Sequence, residues 1–342
     1  MNFWGRMMLF LGVDSGATKT TCVITNEKLE VLGVGMAGAS NYHIVGVKKA
    51  KENVKLAIEH ARLCGNLKDK KIDVGCFGMG GLRTKKDSEV ISNFIKSLDV
   101  AKELLIVNDA VTAYYAATLG KPGVVVVAGT GSIAYGTDGK GNEALLGGWG
   151  WLIGDEGSAF YIARQALMQA TKAVDSRAKP TSLVRLAKKH FGILNFDEII
   201  TVVYHNLPAP QAIASFAKLV SVAAQHGDEV AKEIMIGASK ELAILAESTV
   251  RKLNIINQPI IIGGVGSVWQ SSIVWKVFEA ELKKKFPPAT FKKIKFPVVG
   301  SIVMGLIKKG VKISRNKADR LEKDIYLKIE REVNLGKFNT TS

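Results

Sequence analysis

Two stretches of the sequence share one design, and this duplication limits the possible folds more than any other feature. LFLGVDSGATKTTCVIT (residues 9–25) and GVVVVAGTGSIAYGTD (residues 123–138) each combine an apolar strand, a tight turn of Gly and hydroxyl residues, and a second strand. Because β-branched residues follow the first turn, it closes a hairpin and is not a Walker phosphate loop, which leads into a helix. The repeat predicts two similar halves, each offering a phosphate-binding hairpin to a cleft between them.

The residues of both turns suit a nucleotide. Small residues let backbone N–H groups approach phosphate oxygens, hydroxyls add donors, and a carboxylate can hold Mg²⁺ through water. Each turn taken alone could instead be an ordinary hairpin turn without a role in binding, since Asp and Gly are common in turns. Together they favour an ATP site, with Asp14 as the residue that holds Mg²⁺ through water. The predicted ATP-binding residues of the two turns are Asp14, Gly16, Thr18, Lys19, Thr20, Gly129, Thr130, Gly131 and Ser132.

The rest of the chain reads as alternating strands and helices. Helices are predicted over residues 48–63 and 88–98, with strands KIDVGCFGMGGL and ELLIVNDA and a helix AVTAYYAATLG, which implies a largely parallel sheet. After residue 138 the pattern is mainly helical (157–174, 182–191, 196–203, 211–226, 228–253 and 271–285), with one strand, PIIIGGVGSV, and then a short strand and a closing helix. We predict an α/β fold with two domains. The first covers residues 7–117 together with the closing helix near 298–313, and the second covers residues 118–297.

A basic, charge-rich tail is expected over residues 314–342. Leu321, Ile325, Ile329 and Val333 recur about four apart in it, a spacing that predicts a surface or dimer-contact helix with a frayed end.

Composition excludes several classes of protein. The formal net charge is +16, but the lysines are spread along the chain without interleaved aromatics, so no specific nucleic-acid binding is expected. The apolar runs are too short for a bilayer and no signal peptide is evident, so we predict a cytoplasmic protein with no membrane partner, whose translation starts at Met1, Met7 or Met8. Three cysteines occur outside any CxxC pattern and are expected to be free and mostly buried.

Three further stretches carry candidate chemistry. Asp109 follows a parallel strand, where α/β folds place ligands, and can accept a hydroxyl proton in phosphoryl transfer; a helix N-cap is a compatible role. In GGWGWLIGDEGSA, Trp149 beside carboxylates suits a sugar ring, with a core Trp and a capping Asp155 as the alternative. Asn41 can pair with sugar hydroxyls or merely form a turn.

Gly263 and Gly264, after the strand PIII, can let an adenine lie against the backbone. A tight turn from strand to helix explains the two glycines equally well.

These segments, in this order, resemble the N-acetylglucosamine kinase and BadF/BadG/BcrA/BcrD-type ATPase family of the sugar-kinase, Hsp70 and actin superfamily. GVDSGATKT is similar to its first phosphate motif, AGTGS to its second and IIIGGV to its adenosine motif. ASNYH, VNDA and GGWGWLIGDEGSA are similar to sugar-binding and catalytic stretches of N-acetylglucosamine kinases and archaeal hexokinases. The resemblance covers about residues 9–310.

The resemblance implies two actin-like (ribonuclease H-like) domains, each with a central mixed sheet, hinged around an ATP and sugar cleft. It implies Asp109 as the general base and ATP with Mg²⁺ as cofactors. The sugar ligands implied are Asn41, Asn108, Asp109, Gly148, Trp149 and Asp155. Arg83 departs from the family pattern, which often has an acid there, and so does the tail after Ser314.

The expected activity is transfer of the γ-phosphate of ATP to the 6-hydroxyl of N-acetylglucosamine or a related hexose or hexosamine, by a homodimer. A broad-specificity hexokinase or glucosamine kinase is the nearest alternative. An ATPase that activates a redox enzyme needs paired cysteines for an iron–sulfur cluster, and a non-catalytic sugar sensor would not need Asp109.

Overall fold

The computed structural model describes residues 7–206 and 210–336. Among these residues the chain divides into two compact units. The first contains the chain up to Gly120 together with the chain from Ile294 onward, and the second is Lys121–Lys293. Within the described ranges, no helix is long and apolar enough to cross a membrane.

The strands form the centre of each unit. In chain order they are β1 (Leu9–Ser15), β2 (Lys19–Asn26), β3 (Val31–Gly38), β4 (Ile72–Met79), β5 (Ala101–Asn108), β6 (Gly123–Ala128), β7 (Ser132–Thr137), β8 (Glu143–Gly147), β9 (Ile261–Val265) and β10 (Thr290–Ile294).

The helices cover and connect these strands. They are α1 (Tyr42–Cys64), α2 (Lys85–Lys96), α3 (Asp109–Thr118), α4 (Ala159–Val174), α5 (Leu183–Phe191), the single turn α6 (Ile199–Thr201), α7 (Pro210–Ala214), α8 (Ala217–Gln225), α9 (Glu229–Lys252), α10 (Ser272–Lys285), α11 (Val298–Lys308) and α12 (Arg315–Asn334).

The sheet of the first unit has the order β3–β2–β1–β4–β5. β1 pairs antiparallel with β2 and parallel with β4, and β4 pairs parallel with β5. The register aligns Ser15 with Met79 and Met79 with Asn108. The three parallel strands therefore end in one row, and the residues that follow them come together at one edge of the sheet.

The sheet of the second unit repeats this topology. Its order, from the other end, is β8–β7–β6–β9–β10, with β6 antiparallel to β7, β7 antiparallel to β8 and β6 parallel to β9. The prediction of an α/β fold with two mixed sheets is confirmed. The duplication seen in the two hairpins thus extends to five strands in each unit.

Glycines allow the helices of the first unit to lie close to each other and to the sheet. A Cβ at Gly35 of β3 would lie 2.0 Å from the carbonyl oxygen of Ala57 in α1, and one at Gly300 of α11 would lie 1.7 Å from that of Thr112 in α3. Because real Cβ atoms never approach so closely, any larger residue would push these elements apart. α11 also contacts β1, where the Ser301 hydroxyl donates to the Val13 carbonyl at 3.0 Å.

Several predicted elements are corrected by the structure. The strand β8 was not predicted, because its five residues are too few to show a clear alternation. α1 begins at Tyr42, ahead of the predicted residue 48, and has a break at Gly46 with φ 76°. The helices predicted over 196–203 and 211–226 are short separate pieces, the second being α7 and α8.

The surface helix predicted in the tail is confirmed as α12, but a dimer contact through its apolar residues is wrong for Leu321 and Ile325, which pack within the chain. In α12, Ala318, Leu321 and Ile325 are buried, and the helix packs against β3 and α11 of its own unit. Arg315 donates to the carbonyls of Ala116, at 3.1 Å, and Ala117, at the end of α3. The apolar spacing therefore reflects packing within the chain. The predicted frayed end after Gly336 lies outside the described residues.

Candidate active site

The row of strand ends in the first unit brings the predicted catalytic residue to the first hairpin. The backbone N–H of Gly80 donates to the Ser15 carbonyl at 2.8 Å. A Cβ placed on Gly80 would lie 3.3 Å from Asp109 Oδ2 and 3.5 Å from the Gly16 Cα. Asp109 thus lies beside the hairpin turn, at the carboxyl ends of parallel strands where α/β folds bind ligands.

The first hairpin turn is held on both sides. Gly16 N–H donates to the Lys19 carbonyl at 3.1 Å, and the N–H groups of Ser40 and Asn41 donate to the Gly16 carbonyl. Thr18 and Lys19 are exposed at the turn. Their side chains are accessible to a ligand, as the predicted phosphate role requires.

Thr20 requires a correction. Its hydroxyl is buried, donates to the Gly38 carbonyl at 2.7 Å and contacts Ser40 Oγ, which bonds in turn to Ser15 Oγ at 2.7 Å. All residues of β2 after Lys19 are buried, Thr20 among them. Thr20 therefore supports the turn from inside and has no free donor for phosphate.

Two half-buried carboxylates, Asp14 and Asp109, interact at this edge. Burial raises the pKa of Asp109 to about 6, although backbone N–H groups, chiefly that of Ala110, lower it. Burial also raises the pKa of Asp14 to about 7; the charge of Asp109 adds to the rise and Lys19 opposes it. Both carboxylates are therefore costly to ionise in the absence of a cation.

The helix-cap alternative for Asp109 is wrong, because Asn108 is the N-cap of α3. Asn108 Oδ1 accepts from Ala110 N–H at 2.8 Å, and its Nδ2 donates to the Leu82 carbonyl at 2.8 Å. Asp109 is the first residue of the helix. Asp109 is therefore not the N-cap, although the N–H groups of Ala110 and of Asp109 itself interact with its carboxylate. The Asn108 amide already has partners at both ends.

Asn41 lies close to the same edge, at the N-cap of α1. Its Oδ1 accepts from His43 N–H at 3.1 Å, and a Cβ at Gly81 would lie 2.6 Å from that oxygen. The loop that follows β4 therefore rests on the Asn41 amide. The first unit thus gathers the predicted phosphate residues of the first hairpin with Asn41, Asn108 and Asp109.

The second hairpin has an equivalent place in the second unit. Gly129 N–H donates to the Gly131 carbonyl at 2.9 Å, and N–H groups at the start of α4 donate to the Gly129 and Thr130 carbonyls. Gly129, Thr130 and Gly131 are half-buried. Ser132 requires a correction like that of Thr20: its buried hydroxyl donates to the Glu156 carbonyl at 2.7 Å.

Asp155 lies against this hairpin. It is buried, adopts a left-handed conformation with φ 57°, and a Cβ at Gly131 would lie 2.5 Å from its Oδ2. Gly148, with φ 66°, donates from its N–H to the Ser132 carbonyl at 2.8 Å. The second hairpin and the GGWG and GDEGS turns therefore form one connected group.

The residues between these two turns are exposed. Trp149 is 64% exposed, Trp151 43%, and Leu152 and Ile153 still more. The alternative of core tryptophans is wrong. Exposed apolar side chains at a glycine-rich turn provide a surface on which the apolar face of a ring can stack.

The glycines of β9 have a different arrangement from the one predicted. A Cβ at Gly264 would lie 2.8 Å from the Trp275 ring and 2.9 Å from the Trp269 ring, so this glycine makes room for two indoles. Gly263 is buried within the strand. Gly266, at φ 113°, is the residue next to the second hairpin, because its Cβ would lie 2.4 Å from the Ala128 carbonyl oxygen.

Gly266 therefore has the position in the second unit that Gly80 has in the first. Sequence reasoning missed both glycines as site residues. Their position in the sequence was a usable signal. Gly80 directly follows β4, which pairs parallel with β1, and Gly266 directly follows β9, which pairs parallel with β6.

The donor set near the first hairpin fits Mg²⁺. Within residues 7–206 and 210–336, no group of three or more His, Cys, Asp and Glu side chains could hold a metal ion. Mg²⁺ does not need one, since it is held by one or two carboxylates together with water and substrate phosphates. Asp14, whose carboxylate is repelled by that of Asp109, is suited to such a cation.

Comparison with known proteins identifies the family of this chain. The sequence profile of the BadF/BadG/BcrA/BcrD ATPase family matches residues 11–303. The chain belongs to this family. Residues beyond 303, including α12, lie outside the match.

Two relatives are similar along most of their length. The N-acetylmuramic acid/N-acetylglucosamine kinase of Clostridium acetobutylicum is 30% identical over 266 residues, covering 77% of this chain and 86% of the relative. The N-acetyl-D-glucosamine kinase of Dictyostelium discoideum is 31% identical over 296 residues, covering 82% and 92%.

A solved structure shows the fold. A Chromobacterium violaceum protein assigned to the N-acetylglucosamine kinases superposes with a TM-score of 0.71 at 22% identity, over 88% of this chain and 99% of that one.

Proposed function

We propose that the protein is an ATP-dependent sugar kinase that transfers the γ-phosphate to the 6-hydroxyl of N-acetylglucosamine or a related hexosamine or hexose. The observation that carries this proposal is the position of Asp109. Its carboxylate lies beside a phosphate hairpin, is not used as a helix cap, and has a pKa near 6. A general base works best when its pKa lies close to the operating pH. The kinase relatives support the reaction class.

The phosphoryl transfer needs one proton acceptor. Asp109 takes the proton from the sugar 6-hydroxyl while that oxygen bonds to the γ-phosphorus. The bond from the γ-phosphorus to the oxygen that bridges the β- and γ-phosphates breaks, and ADP leaves. Asn41 and Asn108 are proposed to orient the sugar hydroxyls, with Asn108 acting partly through the loop that it anchors.

Phosphate binding is assigned to the two hairpins. Backbone N–H groups and the accessible side chains of Thr18, Lys19 and Thr130 are proposed as phosphate contacts. Mg²⁺, held through water by Asp14, would supply neutralising charge at the phosphates. Adenosine is proposed to lie at the end of β9 beside Gly266, with Gly263 and Gly264 supporting that end from within the unit, because Gly263 is buried and Gly264 is covered by two indoles.

Sugar selection is assigned to the connected group in the second unit. Trp149 offers an exposed face for a sugar ring, Gly148 leaves space for an acetamido group, and Asp155 is proposed as a hydroxyl ligand. A hydrophobic pocket discriminates only weakly against a substrate that lacks an apolar group, by about 10–200-fold. Glucosamine, glucose and mannose are therefore expected as weaker substrates. In the alternative of a broad-specificity hexokinase, they would be used as well as N-acetylglucosamine or better.

The redox-activator alternative has no support from the cysteines. Cys22 and Cys76 are fully buried in the first unit, and burial raises the pKa of Cys76 to about 12. Neither thiol is placed to hold a cluster at a subunit surface. The half-buried Cys64 is a single free thiol, whereas a cluster needs paired cysteines. We further propose a cytoplasmic homodimer without nucleic-acid or membrane partners, a quaternary structure that sedimentation measurements would test.

A coupled ADP-release assay tests the proposed function. N-acetylglucosamine, N-acetylmuramic acid, glucosamine, glucose and mannose are compared with a sugar-free control. We expect ADP release that depends on N-acetylglucosamine, with a kcat/KM above that for glucose. A ratio well below one would make the protein a broad-specificity hexokinase, and equal ADP release without sugar would refute the kinase.

A further inference from the structure

A buried carboxylate outside the predicted site, Asp87 in the first turn of α2, receives an unusual number of donors. The N–H groups of Arg83 and Thr84 donate to its Oδ2 at 3.0 and 2.6 Å. The Tyr42 hydroxyl donates to its Oδ1 at 2.5 Å, and His43 Nε2 lies 3.1 Å from the same oxygen. The carboxylate is thus shared by two elements.

Capping of α2 explains only part of this arrangement. The capping box consists of Thr84 N–H on the Asp87 carboxylate and Asp87 N–H on Thr84 Oγ1 at 3.2 Å. Tyr42 and His43 belong to the first turn of α1, about forty residues earlier in the chain. Burial alone would raise the pKa of Asp87, but hydrogen bonds, first that from Tyr42, hold it well below its usual range. The carboxylate is therefore kept charged and fully bonded.

Both elements that meet at Asp87 continue into the candidate active site. Asn41 directly precedes the turn that contains Tyr42 and His43. The loop of residues 80–84 rests on the Asn41 amide at Gly81 and is bonded to Asn108 through the Leu82 carbonyl. His43 Nε2 also lies 3.2 Å from the Gly81 carbonyl oxygen. The loop thus spans the gap between Asn41 and Asn108.

We propose that Asp87 is a positioning residue that ties the first turn of α1 to the loop of residues 80–84 and so fixes the separation between Asn41 and the Asn108–Asp109 pair. This inference rests on the proposed function, because it concerns the sugar side of that site. Misplacing a substrate by about 1 Å can cost about 100-fold in rate. A carboxylate that holds both sides of the acceptor site therefore affects sugar binding without touching the sugar.

Asp87→Asn tests the proposal, with Thr84→Ala as the matched control. The amide keeps the shape but replaces one acceptor oxygen with a donor. Facing the N–H groups of Arg83 and Thr84, the NH₂ group would be repelled. Facing α1, it would remove the acceptor for His43 and force the Tyr42 hydroxyl to change from donor to acceptor. Thr84→Ala breaks the same capping box without touching the contacts to α1. For Asp87→Asn we expect kcat/KM for the sugar to fall by about 10–100-fold, mainly through KM, while the KM for ATP stays within about twofold. For Thr84→Ala both constants should stay within about twofold.

Equal sugar KM values for Asp87→Asn and the wild type would overturn the proposal, as would equal losses in the two variants. If Asp87→Asn does not fold, Tyr42→Phe, which removes a single donor, is measured in the same way, with an expected rise of about 3–10-fold in sugar KM. An unchanged sugar KM in Tyr42→Phe would then count against the proposal.

Hydrogen exchange separates this inference from the proposed function, because it needs no turnover. Asp87→Asn should speed exchange in residues 41–46 and in residues 80–84, whereas Thr84→Ala should speed it only in the second segment. Unchanged exchange over 41–46 in Asp87→Asn would overturn the role of Asp87. Absence of sugar turnover by the wild type would refute the proposed function. The hydrogen-exchange result would then decide by itself whether Asp87 ties the two segments together.

Discussion

Replacing Asp109 with Asn should abolish most activity and at the same time stabilise the protein. As the general base, Asp109 takes the hydroxyl proton, so Asp109→Asn should lower kcat by about 10²–10⁴-fold with little change in the KM for ATP. Stability should change in the opposite direction. Burial raises the pKa of the Asp109 carboxyl from 3.8 to about 6, which corresponds to a cost of about 3 kcal/mol for its charged form in the fold.

Because the group is half-exposed and close to Asp14, only part of this cost will appear, and we expect a gain of about 1–2 kcal/mol at pH 8. The sign follows from linkage. A carboxylate with a raised pKa binds protons more readily in the folded state, so its destabilising effect is complete above the folded pKa of about 6 and absent below the ordinary 3.8.

The stability gain of Asp109→Asn should therefore vanish as the pH falls from about 7 to 4. Denaturant unfolding of the metal-free and nucleotide-free protein in EDTA measures the gain, and a coupled ADP-release assay measures the loss of activity. A variant that keeps a third of wild-type turnover would remove Asp109 from the mechanism. A variant less stable than the wild type at pH 8 would show that burying the ionised Asp109 carboxylate does not destabilise the fold.

Two further substitutions test other parts of the account. Gly131→Ala would place a methyl group 2.5 Å from Asp155 Oδ2, whereas a methyl group at Gly237 of α9, outside the proposed site, meets nothing within 4 Å. Calorimetry should therefore show ATP affinity falling by about tenfold or more in Gly131→Ala and staying unchanged in the control Gly237→Ala. Equal affinities in the two variants would contradict the placement of this hairpin. Arg315→Ala removes two bonds to carbonyls at the end of α3 and should lower the free energy of unfolding by about 1–2 kcal/mol with unchanged kinetics. Arg320→Ala, at a side chain 85% exposed, should change it by less than about 0.5 kcal/mol, and equal losses would refute the packing role of α12.

The local features of the site could be predicted from the sequence, because short-range patterns carry them. Strand, turn and strand alternate within single stretches of residues, so both hairpins and the placement of Asp109 after a parallel strand were accessible. The sheet class followed from the order of elements, since parallel strands need helical crossovers.

Features that depend on distant residues could not be predicted. The Thr20 hydroxyl faces inward because the Gly38 carbonyl, at the end of β3, accepts its proton. Gly264 is small because two indoles from the next segment cover it. The spacing in α12 predicted an apolar face, but only the fold shows that β3 and α11 cover it.

Phosphorus NMR of the reaction products tests the central claim most directly. The protein is incubated with MgATP and N-acetylglucosamine, and the proton-coupled ³¹P spectrum is recorded. Transfer to the 6-hydroxyl predicts loss of the γ-phosphate signal and growth of a phosphomonoester signal split into a triplet by the two protons on C6. A doublet would place the phosphate on a ring hydroxyl, and a singlet of inorganic phosphate alone would contradict the account, because it would mean that the protein hydrolyses ATP without phosphorylating the sugar.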